Sequence, residues 1–263
     1  MVVRETTQHS ETSQQSEREQ VRTMEPQKDE ATGRTRQIVV ISAGVSQPSS
    51  THLLADQFVR RVLQRAEAAQ VTVEVRQIEL RPLAQQIVQA MISGLQSVEI
   101  AQAIDRLATA DAIVVATPIY KAGMSGLLKS FLDILDQDLL LAKPTALLAT
   151  AGTARHALVV DEQLRSTMAF FRTLTIPTSV FSTSEDWGSA SLGGRLDRAA
   201  SELVVLLASD VARAITSSGW QHYQHEFGSV AEQTAAVRGK TSAGDAAGLD
   251  FDSDLMRLAA GGQ

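Results

Sequence analysis

The chain has no cysteine, which excludes disulfide bridges, thiolate nucleophiles and cysteine-based metal sites. It has no surplus of positive charge either: 24 Lys and Arg stand against 30 Asp and Glu, a net charge of −6. Nucleic-acid binding needs a basic face, so no nucleic-acid partner is expected. No apolar run approaches the ~18 residues that cross a bilayer. Residues 1–35 lack the apolar core of a signal peptide, so neither export nor a membrane is expected. The 5 histidines are scattered without spaced carboxylates, and no metal site is expected. The first apolar run is not followed by G-x-G-x-x-G, and there is no Walker loop or G-x-S-x-G elbow. Rossmann, NTPase and hydrolase readings lose support accordingly. No internal repeat is present. These absences fit a cytoplasmic location.

What is present is ordinary for a globular protein, with 44% hydrophobic and 21% charged residues. The ends differ from the middle. Residues 1–36 are almost wholly Gln, Glu, Ser, Thr and Arg, and residues 228–263 are rich in Ala, Gly, Ser and charge. Neither has the apolar surface to offset the entropy of folding. Both are expected to be disordered tails, apart from one loose helix around Phe251, Leu255, Met256 and Leu258. The folded domain is expected over 37–227.

Within that domain, short apolar runs alternate with helical patterns. Strands are expected at 37–41, 71–78, 112–117, 145–150 and 178–181, and helices at 51–69, 98–107, 125–135, 156–174 and 194–217. Strands separated by helices imply a doubly wound, five-stranded parallel α/β sheet with right-handed crossovers. A flavodoxin-like order 2-1-3-4-5 brings the loops after Ile41 and Ala116 side by side, where ligands collect in such sheets.

The first of those loops, Ser42-Ala43-Gly44-Val45-Ser46-Gln47-Pro48-Ser49-Ser50-Thr51-His52, has four serines, one threonine, one glycine and no Lys or Arg. A helix N-terminus binds phosphate through its free N–H groups and partial positive charge, with no cation required. The Ser42, Ser49 and Thr51 hydroxyls are candidates to complete that shell. Equally, Ser49 or Ser50 serves simply as an N-cap.

The most specific stretch is Thr117-Pro118-Ile119-Tyr120-Lys121-Ala122-Gly123-Met124-Ser125-Gly126, running on into Leu127-Leu128-Lys129-Ser130-Phe131-Leu132-Asp133. Its spacing predicts a buried strand ending in a tight loop of small residues with a helix immediately after. Pro118 stiffens the approach, and Gly123 and Gly126 permit close backbone contact. From pattern alone it is also a tight turn with a core Tyr. The stretch resembles the flavin-ring loop of the NAD(P)H-dependent FMN reductases of the flavodoxin-like superfamily. The likeness is strongest to the reductase components that serve luciferase-like flavin-dependent monooxygenases. The Ser49-Ser50-Thr51 run before Leu53-Leu54 is similar to the phosphate loop of that family. Ala149-Thr150-Ala151-Gly152-Thr153-Ala154-Arg155-His156 is similar to its small-residue loop beside the flavin.

That resemblance implies FMN and NAD(P)H as cofactor and donor, with hydride passing from nicotinamide to flavin N5 and no catalytic side chain. It implies FMN contacts at Ser42, Ser49, Ser50, Thr51, Thr117, Pro118, Ile119, Tyr120, Lys121, Gly152 and Thr153. It further implies a homo-oligomer, dimer or tetramer, and a partner monooxygenase that receives reduced flavin. Apolar residues among Met124 to Leu135 that do not cover the sheet are the candidate partner surface. Two departures stand out. Family members often carry an Arg where Val45 or Gln47 stands. Some carry a Tyr, associated with a π-bulge, where Met124 stands. A quinone or azo-compound reductase is the alternative activity. A flavodoxin-like electron carrier is a further alternative, although the acidic, aromatic-lined loops of flavodoxins are lacking.

Overall fold

The computed structural model describes residues 34–220. The tail expectations for 1–33 and 228–263 lie outside the described residues. The chain alternates strand and helix in the order β1 (Arg36–Ser42), α1 (Ser50–Ala68), β2 (Val73–Glu79), α2 (Ala84–Ser93), α3 (Val98–Thr109), β3 (Ala112–Tyr120). There follow β4 (Gly123–Met124), α4 (Gly126–Asp133), β5 (Pro144–Thr150), α5 (Arg165–Phe170), β6 (Leu174–Thr175), β7 (Val180–Ser182), α6 (Ala190–Ala208) and α7 (Val211–Gly219). The parallel sheet runs β2-β1-β3-β5, and both β6 and β7 pair with β5. This is the flavodoxin-like order, with the fifth position shared between two short strands.

The register explains why the central strands read as continuous apolar runs. Val39 and Ile41 of β1, with Ile113 and Val115 of β3 and Leu147 of β5, face one core. Their neighbours Ile38, Val40, Val114, Ala146 and Leu148 face the other. Both faces are therefore covered, as a doubly wound sheet requires. On the second face α1 contributes Leu54, Phe58 and Val62, and α6 contributes Leu192, Leu196 and Leu203, each series at helical spacing. Ser49, Ser97, Ser125 and Ser189 cap α1, α3, α4 and α6, each accepting a bond from a first-turn N–H.

Five expectations need correction. Strand β1 begins at Arg36, inside the expected tail, because that buried guanidinium bonds Asp210 at 2.7 Å. Strand β3 does not stop at Thr117 but continues to Tyr120, since Ile119 and Tyr120 pair antiparallel with Met124 and Gly123. Helix α2 was not expected at all. The segment 156–174 is not one helix. It is a 3-10 turn at Ala154–His156, a π segment at Val160–Leu164 and the short α5, ended by Arg172 at φ 55 and followed by strand β6. The closing helix starts at Ala190 and breaks at Asp210, whose left-handed backbone (φ 49) turns the chain so that its carboxylate meets Arg36.

Candidate active site

All the loops of interest leave the carboxyl edge of the sheet. Ala43 N–H donates to Ala116 O at 2.9 Å, so the chain after β1 is stitched to β3 before it turns into α1. Gly44 is required at that turn. A Cβ there would lie 2.0 Å from Ser49 Oγ and 3.3 Å from Thr51 Cβ. Ser49 Oγ in turn accepts from His52 N–H at 3.2 Å and caps the helix. Thr51 is buried, with its hydroxyl 2.7 Å from that of Thr150 at the end of β5. Ser50 is exposed at the helix start, and the first turn of α1 carries no acidic residue. The amino end of a 19-residue helix is thus left open to an anion.

The second wall is the end of β3. Thr117 is buried, and its hydroxyl donates to Pro118 O at 3.0 Å and accepts from Ser125 N–H at 3.1 Å. That bond ties the strand to the start of α4. Beyond Tyr120 a two-residue turn places Lys121 and Ala122 at φ 51 and 60. The positive φ values fall on these residues and not on the glycines. A Cβ at Gly123 would lie 3.3 Å from Gln163 Oε1, a tight contact, whereas Gly126 faces open space.

A third wall comes from Ala151 and Gly152 after β5, held by the bond from Ala151 N–H to Ser182 O at 3.1 Å. The fourth is the loop after β7. Asp186 accepts from Thr183 N–H at 2.7 Å and from its hydroxyl at 2.9 Å, and these bonds hold its carboxyl below the usual range. Arg195, 4.0 Å away, acts in the same direction. Asp186 thereby fixes the loop, while Trp187 forms part of the wall.

These walls enclose a cavity of about 250 Å³. Of the residues expected from sequence, Ser50, Thr51, Pro118, Ile119, Tyr120 and Gly152 line it. Ser42 and Thr117 lie buried behind it, Ser49 serves as the helix cap, Lys121 lines a neighbouring cavity, and Thr153 lines neither. Gly44, Ser46, Thr183, Ser184 and Trp187 line it as well and were not among the expected contacts. Ser46, Ser50 and Thr51 bring hydroxyls from the α1 end, and Ser182, Thr183 and Ser184 bring them from the end of β7 and the loop after it, while Pro118, Ile119 and Trp187 add apolar surface. Among the described residues no Asp, Glu, His, Lys or Arg lines the cavity.

Residues 36–188 match the family model for NADPH-dependent FMN reductase. The chain belongs to this family. It is an oxidoreductase whose flavin is FMN and whose electron donor is a nicotinamide nucleotide. It is 33% identical over 150 residues to an NADPH-type FMN reductase of Pseudomonas aeruginosa, covering 57% of this chain and 78% of that one. It is 32% identical over 181 residues to an NADH-dependent FMN reductase of Pseudomonas putida, covering 65% and 92%. An NADPH azoreductase of Bacillus is 33% identical over 94 residues, covering 34% and 53%. Among solved structures, an oxidoreductase from Corynebacterium diphtheriae shares 40% identity at a TM-score of 0.65, covering 66% and 98%.

The matched span includes every wall of the cavity, from Gly44 to Trp187. The cavity fits the family's flavin on its own terms. An open helix start suits a phosphate, the backbone of the β3 end and of Gly152 suits a hydrogen-bonding ring edge, and Pro118, Ile119 and Trp187 supply apolar surface. Sequence reasoning missed the Thr183–Trp187 wall as a set of contacts.

Proposed function

We propose that this FMN reductase passes hydride from NADH or NADPH to FMN and delivers the reduced flavin to a partner flavin-dependent monooxygenase. The observation that carries the reading is one cavity that joins an anion-ready helix start to an apolar ring wall without any charged lining. When bound there, FMN supplies the hydride acceptor. The protein's part is to hold, orient and exclude water. The Ser50 and Thr51 N–H groups, which the Ser49 cap does not use, and the Ser50 hydroxyl hold the phosphate. The backbone of Pro118 to Tyr120 and of Gly152 borders the ring, and Ile119 and Trp187 keep water from it. Ser42, Ser49, Thr51 and Thr117 position these walls through their bonds, and Thr153 sets the start of the turn beyond Gly152. No side-chain acid or base is demanded, which accords with an uncharged cavity.

Steady-state oxidation of NADH and NADPH, with and without added FMN, tests the reading. Turnover that rises with free FMN is expected, and no FMN-dependent oxidation of either nucleotide would overturn it. The azoreductase relative favours a second reading, in which the same flavin reduces an azo compound. That reading predicts dye reduction with stoichiometric FMN and no acceleration by free flavin. We place the enzyme in the cytoplasm, where reduced nicotinamide nucleotides are available. Among the described residues no helix is long and apolar enough to cross a membrane.

We also propose self-association as a dimer or tetramer, but not through the helix after the ring loop. Leu128, Phe131, Leu132 and Leu135 of that region are buried within the chain, and Met124 and Leu127 pack against the same core. The exposed apolar residues Val88, Met91 and Ile92 instead form one stripe along α2, and exposed Leu95 and Val98 follow in the turn into α3 and at its start.

A further inference from the structure

Beside the flavin cavity lies a second one, of about 460 Å³, lined by Ile119, Tyr120, Lys121, Ala122, Arg155 and His156. Ile119 and Tyr120 line both, so the two adjoin. Their chemistry is opposite. The first has no charged side chain, and the second has Lys121, Arg155 and the His156 imidazole with no carboxylate. Among the described residues none of those three side chains has a hydrogen bond or an ion pair. Elsewhere in this acidic chain, Arg36, Arg61, Arg76, Arg165 and Arg172 all reach carboxylates.

The backbone that presents these groups is also unusual. Tyr120 and Gly123 close a two-residue hairpin whose central residues, Lys121 and Ala122, both have positive φ. Such turns favour Asn-Gly, and a Lys-Ala pair is strained there. It is held by its surroundings: Gln163, inside the π segment, donates from Nε2 to Ala122 O at 2.9 Å. Strain that is overdetermined by neighbouring contacts points to a site. On the other side Arg155 and His156 are fixed in the 3-10 turn of Ala154–His156.

We propose that this second cavity binds the phosphate groups of the incoming nicotinamide dinucleotide. The proposal rests on the flavin site assigned above. With the FMN phosphate at the start of α1, these basic groups are left free for another anion. A donor whose nicotinamide lies against the ring beside Tyr120 extends its phosphates past the same residue. Two sources of phosphate are open to it. The bridging diphosphate is common to NADH and NADPH, and the 2′-phosphate belongs to NADPH alone.

The test measures kcat and KM for both nucleotides at saturating FMN in Arg155→Gln and Lys121→Gln, with FMN affinity from flavin fluorescence. We expect about a tenfold rise in donor KM for each variant, as for a lost charge-assisted bond, with kcat within about twofold. A rise with both nucleotides assigns the site to the diphosphate, and a rise with NADPH alone assigns it to the 2′-phosphate. Unchanged KM for both nucleotides in both variants would overturn the proposal, as would a loss of FMN affinity in Arg155→Gln at unchanged donor KM. Failure of the wild type to oxidise either nucleotide would overturn the flavin reductase reading itself and remove the basis of this one.

Discussion

At the scale of single residues, Gly44 and Ser49 form one device. The glycine has no Cβ because the serine hydroxyl occupies that space, and the hydroxyl is there because it caps α1. Gly44→Ala should therefore force Ser49 to rotate, releasing the cap at about 1 kcal/mol and closing the open helix start. The expected outcome is a modest fall in thermal midpoint with at least a tenfold loss of FMN affinity. Ser49→Ala is the informative partner, since it removes the cap but leaves the cavity open. Lost stability with near-native FMN affinity is expected from it. An FMN loss as large as that of Gly44→Ala would make the Ser49 hydroxyl itself a phosphate ligand. Both roles were legible in the sequence, because a serine before an apolar helix suits either. Only the 3.2 Å bond to His52 separates them.

At the scale of elements, the stripe on α2 is the feature that sequence reading missed. The helix lacks a side-chain N-cap and begins with Ala84, Gln85 and Gln86, so only its stop signal, the left-handed Gly94, was available. Its buried side is slight, just Ile87 and Ala90, while Ile92 is 80% exposed. Stripes of this kind mark interfaces on soluble proteins. Ile92→Glu is expected to lower the assembly mass in light scattering and leave monomer stability within about 0.5 kcal/mol, as exposed substitutions usually do. A mass unchanged from wild type would remove α2 from the interface. The hairpin after β3 was hidden for a different reason. Its turn carries Lys121 and Ala122, and neither is a turn-forming signal, so the strand was expected to end at Thr117. The spacing of Leu164, Met168 and Phe171, all buried, marks a helical face within 156–174, but the division of that segment has no such mark. Turn geometry at Arg172 and the π segment leave no periodic mark.

At the scale of the whole molecule, the alternation of elements and the saturated central strands made the sheet order legible. The ionic layer beneath the sheet was not, because its partners are far apart in sequence. There Lys143 donates to Ala108 O and Ala110 O at 2.8 and 2.7 Å, closing the end of α3. Burial lowers its ammonium from 10.5 to about 8, with Asp111 opposing the shift. Below pH 8 native and unfolded chains both hold this proton, and the burial penalty is constant. Between pH 8 and 10.5 the unfolded chain binds more protons, so stability rises with pH. Relative to Lys143→Met, the wild type should gain roughly 1–3 kcal/mol over that window, measured by denaturant unfolding. A parallel pH profile in the two proteins would contradict it. The same layer has a practical consequence. The first strand begins at Arg36, two residues into the described chain, and the described residues end at Trp220, whose ring lies 5.7 Å from the Arg172 guanidinium. Arg36 and Arg172 both stand at the amino edge of the sheet. The cavities open at the carboxyl edge. A bead, an electrode surface or a fused carrier attached at residue 34 or 220 would therefore leave the mouth unobstructed, and the tethered protein should keep the donor KM it has in solution.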